Sequence, residues 1–187
     1  MPLSWEPIKE AGLEIAEPHT PGELPADLLA IRNEFAELTD EAQQIKHVYA
    51  TAGQALYFAQ CFETEIQLVI LLVGKAKGAL ASEQAYTEAS SRLSTKTLGR
   101  PLKEVQQVVK FGNNGLALLE LAHDRRNSLV HGFFEHYSSE FPIRSGKQIM
   151  VADLLERTAL FREADHFAQI VRKKMMDHIG YTDKHLA

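Results

Sequence analysis

Only one cysteine, Cys61, occurs in 187 residues, which excludes an internal disulfide framework and fits a reducing compartment. Set in a periodic apolar segment, that thiol reads as a buried core group rather than a nucleophile. Positive charge is not in excess either: 20 Lys and Arg face 25 Asp and Glu, a net charge of −5. That balance argues against a sequence-indifferent nucleic-acid binder, which gains affinity by neutralising phosphates over a broad basic surface, and leaves room for a local site. No apolar run reaches the roughly 20 residues that a bilayer-spanning helix needs. The longest dense run, residues 66–73 (IQLVILLV), reads as core, so no membrane association is expected. The opening MPLSWEPIKE lacks the basic-then-apolar order of a secretory signal, and a cytoplasmic location is expected. There is no glycine-rich phosphate loop, since Gly112 and Gly115 bracket a turn and not a strand-to-helix junction. His47, His123, His166 and His178 have no tight metal-ligand spacing with cysteine or acids, so neither a metal nor another cofactor is expected.

What is present is helical periodicity. Five of the seven prolines (Pro2, Pro7, Pro18, Pro21, Pro25) lie in residues 1–38, which predicts an extended proline-rich N-terminal arm with a short turn of helix from Ala26 to Phe35. From Thr39 or Asp40, either of which can cap a helix, apolar residues recur at helical spacing: Ile45, Val48, Tyr49, Ala52, Leu56, Ala59, Phe62, Ile66, Val69, Ile70 and Val73. This is a long amphipathic helix of roughly 50 Å ending near Gly74 and Gly78. A weakly patterned helix over 81–96, a helix opened by Pro101, another from Leu116 to about His131, and a last one from near Asp153 to Gly180 complete the reading. The expectation is an all-α helical bundle of four to five helices occupying residues 39–187.

One stretch interrupts this pattern. In RRNSLVHGFF, Arg126 falls in the middle of an apolar stripe formed by Leu119, Ala122, Leu129, Val130 and Phe133. A guanidinium stays charged there, so it must reach a carboxylate, a carbonyl, water or a bound anion. A structural arginine would pair with an acid such as Glu63 or Glu65, or with a helix C-terminus; a functional one would hold an anion. His131 lies i, i+4 from Asn127, within hydrogen-bonding reach. It also reads as a helix C-cap side chain followed by a left-handed Gly132. On an ideal helix Arg126 and His131 are about 140° apart, so a common target requires a bend at Gly132 or a second subunit.

The spacing Arg126-x4-His131, the polar Asn127, and the order of helices over about residues 40–180 resemble the HEPN superfamily of helical bundles. The resemblance implies a metal-independent endoribonuclease, a toxin or defence effector that works as a homodimer on RNA and is held in check by an antitoxin or other regulatory protein. It implies His131 as general acid or base toward the ribose 2′-hydroxyl attack, Arg126 as the stabiliser of charge on the phosphate, and Asn127 as the group that orients the imidazole or holds a phosphate oxygen. Members with a tyrosine two residues after the histidine are inhibited by nucleotidylation; that place here is Phe133, so the device is missing. The alternative within the same family is a non-catalytic dimerisation, nucleotide-binding or partner-binding module.

Overall fold

The computed structural model describes residues 24–76, 78–80, 82–94, 113–178 and 180. Five helices are described: α1 (Ala26–Glu37), α2 (Glu41–Ala76), α3 (Glu83–Ser94), α4 (Asn113–His136) and α5 (Arg144–His178). Among the described residues there is no strand. The protein is the all-α bundle with one long amphipathic helix that its periodicity predicts. The helix expected after Pro101 lies outside the described residues.

The bundle is organised by α2 and α5, of 36 and 35 residues, which pack along each other and would each span about 50 Å. The seam of α2 is made by Val48, Ala55, Ala59, Phe62, Ile66, Val69 and Val73, all buried and all at helical spacing. Met150, Leu154, Leu155, Phe161, Ala164, Ala168, Val171 and Met175 supply the facing stripe of α5. Fully burying side chains of this size contributes about 1.5–3 kcal/mol each, so the long seam dominates the stability of the fold. By length and composition Glu41–Lys75 would suffice to cross a membrane; in the bundle its densest part, from Val69 to Val73, is buried on every side.

The ends of α2 form as the residue types require. Asp40 Oδ1 accepts from the backbone N–H of Gln43 at 2.8 Å, an N-cap. At the far end Gly78 adopts φ +75, where a side chain would be strained, and the N–H of Ala79 returns to the carbonyl of Gly74 at 2.9 Å. Within residues 1–38 the helix expected from Ala26 to Phe35 forms, as the longer α1, and buries Leu28 and Phe35 against the body; residues 1–23 lie outside the described residues. It is tied there by Asp27 to Arg162 (2.6 Å), by Arg144 donating to the carbonyl of Ala36 (3.0 Å), and by Gln44 donating to that of Leu38 (2.9 Å).

Two expected boundaries move. The motif helix does not end at His131: α4 continues through Gly132, whose φ is not left-handed, to His136. A glycine inside a helix costs about 1 kcal/mol relative to alanine, and the buried Phe133 ring on the next residue offsets it. The last helix starts at Arg144, well before Asp153. Gly146 and its polar neighbours read as loop, yet an added Cβ at 146 would run into the backbone carbonyl of Glu140, so this glycine is what lets the start of α5 lie closely against the turn that precedes it. Beside it Lys147 is buried, 1% exposed, with Nζ donating to the carbonyls of Phe141 and Pro142 at 3.3 Å each and lying 3.6 Å from Glu41. The ammonium satisfies carbonyls that the tight turn leaves without helical partners.

Candidate functional site

Arg126 projects from α4 toward α2, as its place in the apolar stripe demands. Its Nη2 lies 2.7 Å from Oε1 and 3.0 Å from Oε2 of Glu63, and the two side chains are only 16% and 14% exposed. The other candidate acid, Glu65, is taken by Arg172 of α5 at 2.7 Å. Two residues apart on one helix, the two acids point about 200° apart and so serve different neighbours. Arg126 Nη1 also donates to Asn127 Oδ1 at 3.2 Å, while Nε is buried with no hydrogen-bond partner.

Asn127 does not meet His131. Its Nδ2 lies 3.1 Å from Nε2 of His123, one turn earlier. The Nδ1 atom of His123 is buried without a partner. A four-residue polar chain results, Glu63 to Arg126 to Asn127 to His123, half-buried between α2 and α4. His123 lies one helical turn before Asn127 in the sequence, a spacing that places it beside the same cluster, and its contact with Asn127 agrees with that.

His131 stands apart. It is exposed, with no side-chain hydrogen bond or ion pair to another described residue. Because α4 runs on through Gly132, the imidazole caps no helix end, and within one chain Arg126 and His131 are not brought together. Beside His131, along with the polar Asn127, Ser128 and Glu135, stand two exposed apolar residues: Val130 and Phe134 are 44% and 42% exposed, and Tyr49 from α2 lies 5.5 Å, ring to ring, from Phe134. Phe141 closes this aromatic group at 5.8 Å from Tyr49 and 6.2 Å from Phe134.

A second polar layer supports the helix that carries the motif. Arg157 of α5, 5% exposed, makes a two-pronged contact with Asp153 (3.0 and 2.9 Å), donates to the carbonyl of Arg125 at 2.9 Å, and lies 5.4 Å over the Phe133 ring. Tyr137 donates to Asp153 at 3.1 Å, and burial together with that carboxylate holds the phenol above its ordinary pKa. These contacts fix α4 against α5.

Elsewhere, Cys61 is half-buried and not enclosed in the core, because its place on α2 faces Tyr57 and not the α5 seam. Asp165 of α5 has one buried oxygen without a partner; burial first and the charge of Glu65 second push its carboxyl above the usual range. A carboxylate whose folded pKa is raised destabilises the fold where it is ionised, and that cost fades as the pH falls into the carboxylate range. Asp165→Asn is therefore expected to raise the melting temperature at pH 7, with the gap to the parent chain closing on acidification to about pH 4; a thermal melt series across pH measures it. Among the described residues no three His, Cys, Asp or Glu side chains come together as a metal-ligand set.

Fold and site together define an all-α bundle with an internally paired arginine and an exposed histidine on one helix. Comparison with protein-family models, with curated proteins and with solved structures gives no match.

Proposed function

We propose that this chain is a cytoplasmic, metal-independent endoribonuclease of HEPN type, a toxin or defence effector acting as a homodimer. The observation that carries the reading is the placement of His131. It is an exposed imidazole without a structural task, on the same helix as Arg126 and next to the exposed Val130 and Phe134. A structural arginine needs Glu63 and nothing more; it requires neither the Asn127–His123 pair nor a bare histidine one turn beyond. The separation of Arg126 from His131 within one chain supports a composite site, in which His131 of one subunit works with Arg126 of the other. Exposed Val130, Phe134 and Tyr49 offer the apolar contact for that second copy. For Arg126 to reach a phosphate, Glu63 must yield to it.

In this reading His131 moves the proton of the ribose 2′-hydroxyl or of the leaving oxygen, and Arg126 neutralises charge developing on the phosphate. RNA incubated with the purified chain in EDTA should be cut to fragments with cyclic phosphate ends. Dependence on added metal, or intact RNA across varied substrates, sinks the proposal. The second reading, a non-catalytic dimerisation or partner-binding module, has its own support in the Arg126–Glu63 pair, which is the arrangement a structural arginine adopts. A regulatory protein or antitoxin is a partner in either case.

A further inference from the structure

The polar chain has a direction. Arginine can only donate, so the Asn127 oxygen 3.2 Å from Arg126 Nη1 is an acceptor and the other end of that amide is the NH2 group. The NH2 group then donates to His123 Nε2 at 3.1 Å, which obliges that nitrogen to carry a lone pair. His123 is thereby neutral with its proton on Nδ1, the atom buried without a partner. Moving the proton to Nε2 would set two donors face to face, and turning the amide to relieve that would set its NH2 against the guanidinium.

We infer that His123 is the positioning residue of the Arg126 site: a neutral Nδ1–H imidazole that fixes the Asn127 amide with its oxygen toward Arg126. Calling the cluster a site rests on the ribonuclease reading; the tautomer does not. With Asn127 held, the guanidinium keeps one orientation whether its opposite side meets Glu63 or a phosphate. Fixing a functional group through its neighbour in this way typically changes activity about 10–100-fold when the neighbour is lost.

Nitrogen-15 NMR of the full chain with labelled histidine tests this directly. The expected spectrum gives His123 a protonated Nδ1 and a bare Nε2 at neutral pH. In Asn127→Asp, which offers only acceptors, the proton should move to Nε2. An Nε2–H tautomer in the parent chain, or the same tautomer in both, overturns the inference. The activity arm uses RNA cleavage in EDTA: His123→Leu should lower kcat about tenfold, and His123→Gln, whose side-chain oxygen can accept from Asn127, should restore it. If His123→Leu keeps full kcat in a chain that cleaves, the positioning role is wrong. A chain that cuts no RNA but holds the Nδ1–H tautomer refutes the ribonuclease reading and leaves the hydrogen-bond assignment standing.

Discussion

His131→Ala is expected to lower the rate of RNA cleavage by about 10²–10⁴, the contribution typical of a general acid or base, while the melting temperature stays where it is. The two halves of this expectation come from one fact. The imidazole is exposed and has no described side-chain partner, so its removal falls within the range of about ±0.5 kcal/mol usual for surface substitutions. A loss of activity without a loss of stability is what distinguishes a chemical role from a packing role. Because Arg126 and His131 do not meet inside one chain, mixing is also informative. His131→Ala chains combined with Arg126→Gln chains should regain cleavage, since the heterodimer carries one composite site with both groups intact. Failure to complement, with each variant folded and dimeric, would argue for sites complete within single subunits. Full activity in His131→Ala would remove the histidine from the chemistry.

Glu63→Ala should be the most damaging single change among the polar residues, lowering stability by about 3 kcal/mol and the melting temperature by about 6–12 °C for a chain of this size. The Arg126 side chain is 16% exposed, and without Glu63 its guanidinium keeps only the neutral amide of Asn127 as partner. The loss therefore reflects a stranded charge more than a lost attraction. Replacing both partners by methionine should recover most of the stability, because an apolar pair of similar volume is often as stable as a buried ion pair. Thermal or urea melts of the three chains, parent, Glu63→Ala and the double methionine variant, complete the comparison. A double variant as unstable as Glu63→Ala would mean that the pair itself, not the orphaned charge, holds α2 to α4. The same double variant, stable but unable to cleave RNA, would separate the arginine's two tasks.

The bundle was readable because its longest helices are amphipathic in the plainest sense. The helical spacing from Val48 to Val73 gives α2 and, from Ala59 onward, its buried face, whereas Tyr49 and Leu56 of the same pattern are exposed and Ala55 takes the seam; Asp40 announces the cap that the structure contains. Arg126 was legible as an anomaly, and the short list of acids that might meet it included the one that does. What could not be read was direction and partner choice. Glu63 and Glu65 are equivalent as letters; only the rotation of α2 relative to α4 and α5 gives one to Arg126 and the other to Arg172. Asn127 has a histidine four residues on either side, equivalent in spacing, and only the folded structure shows that its amide meets His123 while its oxygen is claimed by the guanidinium. The first turns of α5 were hidden because Gly146 and Lys147 have the composition of a loop. Their meaning appears only when the glycine is seen against Glu140 and the ammonium inside the turn.

That turn sets a rule about length. Surface connections ordinarily accept insertions, but the one between α4 and α5 is closed around the Lys147 ammonium and lies directly against Gly146. Adding a single residue there would rotate α5 by about 100° about its own axis. Asp153 would be carried away from Tyr137 and Arg157 from the carbonyl of Arg125, and the buried stripe of α5 would turn off the seam it shares with α2. The hairpin thus works as a fixed gauge: its residue count, more than its chemistry, keeps the helix that bears Arg126, Asn127 and His131 in phase with the rest of the molecule.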